Sequence, residues 1–315
     1  MITAALGLLL AAGPLDVPPI RVIEGVRIDS LKLAVQRKTK NTPPKKPGLP
    51  SFSEDQFSVA TDYGPFKLKY TRFLNRSADL NRHPACITSD YGLGISGFGS
   101  NWYRSNTIRV LLDDEDIVAR YAADSIDVNE GHDVTRIRFL WKLPKAELAI
   151  HVAVVNRRSE GFVQILVRPK TDLKSVGINL MCYPGGYGPA YGHLSRRVVR
   201  VGKESVSVAT GQANRKLPLK PSLEWLWYAD QERADRGHYS TGSVALVILP
   251  EDRAEGKVSV SSYGIMTALR YPGTQSRIRL ALAAHLGPNQ RARREFERSR
   301  QTATRILKTL TFWPE

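Results

Sequence analysis

The sequence predicts an all-β fold that is mainly antiparallel, in the form of a large β-sandwich with one amphipathic helix at its C-terminus. Three observations predict it. Between about residues 56 and 284, short runs of alternating hydrophobic and polar residues succeed one another, and turn residues separate them. No helical periodicity lies between these runs, which argues against a parallel sheet with crossover helices. The chain has 315 residues, 42% of them hydrophobic, which is enough to bury a sizeable core.

The first 50 residues divide into three segments by composition. Residues 1–13 contain a nine-residue apolar run that is too short to span a bilayer and is typical of a signal peptide. No Lys or Arg precedes that run, so a cytoplasmic protein with an apolar start is the alternative. Residues 14–35 include an alternating, strand-like stretch. Residues 36–50 hold four prolines and five Lys or Arg side chains, which predicts an extended basic linker or surface loop.

Residues 51–287 are predicted to form one β-sandwich domain. In residues 133–141, for example, Ile137, Phe139 and Trp141 would share one face of a strand. Further strand candidates cover residues 107–112, 148–154, 162–167, 176–181, 205–209, 243–249, 257–261 and 277–282. No sequence repeat indicates a propeller.

Residues 288–315 change from strand spacing to helical spacing. Apolar or small side chains recur there three or four residues apart, and six arginines lie among them. This pattern predicts one amphipathic helix from about residue 289 to 309. We expect the helix to cover the apolar surface of a sheet, although its arginines could also contact an anionic partner.

The charge balance favours anionic partners. Lys and Arg number 46 against 30 Asp and Glu, a formal net charge of +16. Acidic polysaccharide and an anionic envelope surface both fit this balance. Nucleic acid is not favoured, because the basic segment 36–50 lacks the aromatic residues that base stacking requires. Two cysteines are too few for a disulfide scaffold, and a Cys86–Cys182 bond and two separate thiols are both compatible with the sequence.

Three loops combine turn formers with aromatic and charged side chains. The segment from Cys182 to Arg197 is the richest, because four glycines and two prolines keep it out of a regular sheet. The other two lie around residues 90–104 and 225–239, and we expect all three to lie side by side. The predicted ligand-binding residues are Asp90, Trp102, Tyr103, Arg104, Tyr187, Arg197, Trp225, Trp227 and Asp230, and the predicted catalytic residues are Tyr191, His193 and Arg196.

Flat aromatic rings beside charged groups suit a sugar, which has an apolar face and a rim of hydroxyls. With a uronic-acid polysaccharide, an arginine would neutralise the carboxylate, and Tyr191 or His193 would remove the proton of the neighbouring carbon. Another tyrosine would protonate the leaving oxygen, which completes a β-elimination. The same residues would also serve binding without catalysis. Hydrolysis by paired carboxylates is the second enzymatic alternative, with the candidates Asp90, Glu224, Asp230 and Glu232.

The sequence predicts no metal site and no cofactor. His83, Cys86, Cys182 and His193 are ligand types, but their spacing does not follow that of zinc modules. The glycines of the 90–104 loop do not match the dinucleotide fingerprint.

In its succession of antiparallel strands, aromatic loops and little helix, the chain resembles the large sandwiches of the galactose-mutarotase-like group. That group includes epimerases and the accessory domains of polysaccharide lyases and glycosidases. The resemblance covers about residues 51–287 and concerns architecture without a specific motif, so it carries over no catalytic residue.

These patterns together predict an exported protein, periplasmic or secreted, that binds or processes carbohydrate, with acidic polysaccharide as the favoured ligand. An enzyme of this kind would be a polysaccharide lyase ahead of a glycoside hydrolase. The alternative is a non-catalytic envelope-associated protein that docks on anionic surface polymer through its basic ends. No membrane span is expected, and the sequence does not specify an oligomeric state.

Overall fold

The computed structural model describes residues 20–23, 34–42, 52–60, 67–73, 92–96, 102, 107–121, 123–131, 133–155, 158, 160–185, 195–231, 242–252, 254–285 and 288–314. Within these ranges, twenty strands form two sheets around a shared hydrophobic core. The fold class predicted from the sequence, a mainly antiparallel β-sandwich with one long C-terminal helix, is confirmed.

In chain order the strands are β1 Ile20–Ile23, β2 Ala34–Thr42, β3 Phe52–Ala60, β4 Lys67–Phe73, β5 Gly92–Ser96, β6 Ile108–Leu112, β7 Glu115–Asp116, β8 Ser125–Glu130, β9 Val134–Lys142, β10 Ala146–Val155, β11 Glu160–Pro169, β12 Ser175–Cys182, β13 Arg196–Val201, β14 Glu204–Ala209, β15 Arg215–Leu219, β16 Trp225–Asp230, β17 Val244–Ile248, β18 Glu255–Val260, β19 Ile265–Pro272 and β20 Arg277–Ala284. Helix α1 spans Ile117–Arg120 and helix α2 spans Asn289–Thr309. A 3₁₀ turn covers Pro250–Asp252.

The first sheet has the strand order β1-β8-β9-β10-β11-β20-β17-β16-β13-β14, and the second has the order β15-β18-β19-β12-β6-β5-β4-β3-β2, with β7 paired to β6. Only the β1–β8 pairing is parallel among the described strands. Side chains alternate between the two faces, so in β9 Ile137, Phe139 and Trp141 point into the core as predicted. The two sheets meet in contacts such as the hydrogen bond of 2.6 Å between the Tyr228 and Thr267 hydroxyls.

Helix α2 covers the outer face of the first sheet. Four of its side chains are buried, spaced so that they share one side of the helix: Ala292, Phe296, Ala303 and Leu307. They pack on a second apolar cluster supplied mainly by the outward-facing residues of β16, β17 and β20. The outer face of the first sheet is therefore structural, because the helix keeps water away from its apolar residues.

The N-terminal part of the chain contributes strands to both sheets. Strand β1 lies in the predicted strand segment 14–35. Residues 36–42 of the predicted basic linker belong to β2, which pairs with β3 in antiparallel register. The four prolines that suggested a linker all follow residue 42, so they do not interrupt this strand. The predicted signal peptide, residues 1–13, lies outside the described residues.

Candidate functional site

One end of the sandwich carries the segments that the sequence marks as a site. At this end, which we call the loop end, β12 and β16 finish and β13 and β17 begin. The loop after β12 starts with Tyr183, Pro184 and Gly185, and Gly185 has a positive φ of 73°, which glycine tolerates best. Its amide donates to the carbonyl of Gly242, 3.2 Å away, just before β17. The loops that follow β12 and β16 are thus held together where they join the sheets.

The third predicted loop also reaches the loop end. Trp102 forms a bridge with Cys182, the last residue of β12, and the amide of Met181 donates to the carbonyl of Thr107. The described ends of all three loops therefore meet at one end of the sandwich. Several predicted site residues, together with three further sequence candidates, lie outside the described residues, and their roles stay predictions: Asp90, Tyr103, Arg104, Tyr187, Tyr191 and His193, with His83, Cys86 and Glu232.

A buried ion pair underlies the loop end. Arg197 in β13 faces Asp230 in β16, with 3.5 Å between Nη1 and Oδ2 and no exposure of either side chain. The Arg197 guanidinium also donates to the carbonyls of Ser262 and Tyr263, at 3.4 and 3.5 Å. These carbonyls belong to the turn between β18 and β19 in the opposite sheet. Arg197 thus ties the two sheets together and positions that turn.

The next residue, Arg196, has its side chain exposed at the same end. Its backbone amide donates to Asp230 Oδ1 at 3.4 Å, so the buried carboxylate also holds the start of β13. Ser195 adds a second link between the sheets, because its hydroxyl donates to the Ser262 carbonyl at 2.8 Å. Arg196 is therefore an accessible cation on a firmly held segment.

Tyr263 is a loop-end residue that the sequence did not single out. It lies in the turn between β18 and β19, and its side chain, at 46% exposure, is the one large hydrophobic side chain that is exposed in the described part of the chain. Its ring meets that of buried Tyr183 nearly edge to face, with centroids 5.0 Å apart. Gly264 lets Tyr183 approach, since a Cβ there would lie 2.8 Å from Tyr183 Cε1. The Ser-Ser-Tyr-Gly sequence between two strands indicates a turn, but it does not indicate that the tyrosine is exposed.

The three predicted tryptophans make packing contacts. Trp102 is buried and donates through Nε1 to the Ala283 carbonyl at 3.0 Å. Trp227 is also buried and lies on Phe296 of α2, at 5.5 Å between ring centroids. Trp225 begins β16, at the opposite end of that strand from Asp230, and contacts Phe296 at 5.6 Å. Exposed Glu224 precedes it, so this hydrolysis candidate lies away from the loop end as well.

Two buried polar groups lie under the start of α2. The backbone amide of His285 donates to the Ser243 carbonyl, and neither His285 Nε2 nor Ser243 Oγ has a hydrogen-bond partner among the described residues. Burial between Trp227 and Phe296 lowers the pKa of His285 from 6.5 to about 4, so the ring is neutral at pH 7. Burial likewise raises the pKa of the free Cys182 thiol, which keeps it protonated.

A groove of about 680 Å³ crosses the outer face of the second sheet, and it was not among the sites predicted from the sequence. Its lining includes the small residues Gly177, Gly256 and Ala268. Asn179 and Lys257 supply polar groups to it. The alternation of β12 places Gly177 and Asn179 on its outward face, and a small and a polar residue at successive outward positions could have indicated the groove. The groove is the rival location for a ligand.

Comparisons with known proteins give structural likenesses alone. No family model matches the chain, and no curated protein matches its sequence. Similar solved structures include an α-N-acetylgalactosaminidase from Bifidobacterium bifidum, with a TM-score of 0.48 and 7% identity over 78% of this chain. A provisional aldose 1-epimerase from Klebsiella pneumoniae has a TM-score of 0.42 and 11% identity over 87% of this chain and 96% of its own.

An α-galactosidase from Geobacillus stearothermophilus is also similar, with a TM-score of 0.41 and 8% identity over 74% of this chain. The chain spans about two fifths of the length of the two glycosidases, 40% of each. At these identities the likeness concerns the fold and assigns no site residue to this chain.

The helices in the described ranges include none with the length and apolar character needed to cross a bilayer. Those ranges also contain no group of three or more His, Cys, Asp and Glu side chains arranged to hold a metal ion.

Proposed function

We propose that the protein binds carbohydrate at the loop end, with acidic polysaccharide as the favoured ligand. The observation that carries the proposal is the exposed ring of Tyr263 at the point where the ends of the three aromatic loops meet. An exposed aromatic ring offers a flat apolar surface to one face of a pyranose. Arg197 and Asp230 hold the backbone beneath it, so the platform is fixed before the ligand binds.

The preference for an acidic sugar comes from the cations at this end. Arg196 is exposed and would pair with a uronate carboxylate, while the net charge of +16 would attract the polymer. The buried Arg197 acts differently, because its guanidinium is engaged inside the sandwich. Tyr187, Tyr191 and His193 belong to the loop that ends at Arg196 and would supply further contacts.

Catalysis is a second stage of the proposal. Arg196 would neutralise the carboxylate, and Tyr191 or His193 would take the proton from the adjacent ring carbon. The electron pair left behind would form a carbon–carbon double bond as the neighbouring bond to the glycosidic oxygen breaks. A second tyrosine would donate a proton to that oxygen. The products would be an unsaturated uronate and a shortened chain.

The test measures binding of oligogalacturonate by calorimetry and formation of unsaturated uronate by ultraviolet absorbance. Tyr263→Ala and Arg196→Gln should weaken binding by about tenfold each, since each removes one well-placed contact. Arg168→Gln, an exposed cation on β11, is the matched control and should bind like the wild type. Loss of unsaturated uronate in Tyr191→Phe or in His193→Ala would identify which of the two residues takes the proton, and elimination that survives in both variants would contradict the proposed base.

Variants in the groove of the second sheet distinguish the two possible locations of the ligand. If Asn179→Ala and Lys257→Gln in the groove weaken binding while Tyr263→Ala leaves it intact, the ligand lies on the second sheet and the loop-end proposal fails. If no acidic glycan binds and a neutral one does, the proposed charge preference is wrong.

The alternative function is that of a non-catalytic envelope-associated protein, exported by residues 1–13 and docked on anionic surface polymer through its basic ends. Because residues 36–42 belong to β2, the N-terminal test neutralises Lys45 and Lys46 and leaves the strand in place. Docking through the ends should weaken with these changes and with salt, whereas binding at the loop end should survive both. Cell fractionation with and without residues 1–13 tests export.

A further inference from the structure

Helix α2 presents a straight row of cations on the side opposite its buried face. The ridge, as we call it, consists of six exposed positions, five of them cationic: Arg291, Arg294, Arg298, Gln301, Arg305 and Lys308. They recur every three or four residues, and their mean direction is about 180° from that of the buried residues at 100° per residue. The ridge is about 25 Å long at 1.5 Å per residue.

Three arginines of the ridge have no ion-pair partner in the part of the chain that the structure describes: Arg294, Arg298 and Arg305. Arg291 pairs with Glu295 at 2.9 Å and Lys308 with Glu251 at 3.1 Å, both in exposed positions. The remaining acid of the helix, Glu297, is engaged by Arg300 at 2.8 Å. The helix therefore has more cations than its own carboxylates neutralise, and three of the excess arginines lie along one line.

The shape and chemistry of the ridge favour one class of partner. The apolar side of α2 is buried against the first sheet, so no apolar face is left to enter a lipid bilayer. The ridge has no aromatic residue for stacking on single-stranded bases. Duplex DNA also carries phosphates that could pair with these arginines, so it is a competitor in the test below. A thin, flexible chain of anionic groups fits along the ridge.

The ridge begins at the loop end. Asn289, the first residue of α2, donates through Nδ2 to the Asp230 carbonyl at 3.2 Å, and Arg291 follows in the same turn. We infer that the ridge is a binding track for linear acidic polysaccharide that continues from the loop end along α2. The inference extends the proposed function, and it adds a dependence on chain length that a site confined to the loop end would lack.

The experiment compares oligogalacturonates of two lengths, a trimer and a dodecamer, by calorimetry on the full chain at low and physiological salt. The test variant is Arg294→Gln/Arg298→Gln/Arg305→Gln. Each exposed ion pair is worth a factor of about two to five, so the dodecamer should bind about 10- to 100-fold more weakly and the trimer should bind unchanged. The matched control is Arg168→Gln/Lys216→Gln/Arg277→Gln, which removes three exposed cations from strands.

Unchanged dodecamer affinity in the ridge variant overturns the inference, as does an equal loss in the control variant, which would show an effect of net charge alone. Charge reversal with Arg298→Glu should give a larger loss than Arg298→Gln if the contact is ionic. Duplex DNA or anionic vesicles that compete better than the dodecamer would assign the ridge to another partner and overturn the polysaccharide inference. If the trimer fails to bind the wild type but the dodecamer still requires the ridge, the loop-end proposal fails and the ridge stands.

Discussion

Arg197 and Asp230 form an ion pair in the interior of the sandwich, with 3.5 Å between Nη1 and Oδ2 and both side chains fully buried. Removing one partner leaves the other charge buried without compensation. Arg197→Met should therefore lower the free energy of unfolding by about 3–5 kcal/mol, and Asp230→Leu should do the same. Chemical denaturation monitored by tryptophan fluorescence measures both.

The double variant Arg197→Met/Asp230→Leu provides the control for this pair. It removes both charges and fills the space with apolar atoms, so it should lose less than the sum of the two single losses. Single losses below about 1 kcal/mol, or full additivity, would show that the pair has little energetic role. The carbonyls of Ser262 and Tyr263 would still lose a donor in the double variant, so full recovery is not expected.

Gly264 governs the packing of Tyr183 at the loop end. A Cβ at this position would lie 2.8 Å from Tyr183 Cε1 and 3.2 Å from the Cys182 carbonyl. Gly264→Ala should therefore push the Tyr183 ring aside and cost about 1–3 kcal/mol of stability. In a Tyr183→Ala background the same change should cost less, because the ring is gone. Equal costs in both backgrounds, measured by urea denaturation, would contradict this explanation.

His285 makes stability depend on pH. Burial lowers its folded pKa from 6.5 to about 4, so between those pH values the unfolded chain binds more protons than the folded one. The free energy of unfolding should then fall as the pH falls through this window, by about 3 kcal/mol at its lower end. His151 is lowered to about 4 for the same reason and contributes in the same direction.

His285→Phe isolates one of these contributions. A phenyl ring cannot be protonated and matches its aromatic neighbours Trp227 and Phe296. The variant should lose less stability than the wild type between pH 6.5 and pH 4, with His151 accounting for part of the remaining slope. Thermal unfolding across this range measures the difference, and identical slopes would rule out the assignment to His285.

Period-two alternation was enough to predict the sandwich, because each strand buries one face and the pattern is visible locally, as in Ile137, Phe139 and Trp141. The helical spacing likewise located α2 at residues 289–309. These local patterns did not predict whether an individual polar or aromatic side chain is buried or exposed. Nothing in the local sequence distinguishes Arg197 from an exposed arginine. Its burial follows from the pairing of β13 with β16, which is a long-range contact.

The tryptophans also show that local sequence does not predict the environment of a side chain. Aromatic composition alone cannot distinguish a ring that faces a ligand from one that faces a helix, and α2 packs on Trp225 and Trp227 from a distant part of the chain. Tyr263 was missed because a single aromatic residue in a short turn carries no pattern. Its exposure depends on the turn geometry that Arg197 and Ser195 hold in place.

Phe296 is the residue through which α2 joins the sandwich, and it gives the last prediction. Its ring contacts Trp225, Trp227 and His285, with centroid distances of 5.6, 5.5 and 6.1 Å. Phe296→Ala should cost about 3–5 kcal/mol, since it removes a large buried ring and leaves a cavity. It should also change the fluorescence of the two tryptophans. Arg298→Ala, two residues further on the exposed side, should stay within about 0.5 kcal/mol of the wild type. A similar cost for both variants would mean that α2 is not docked through this face.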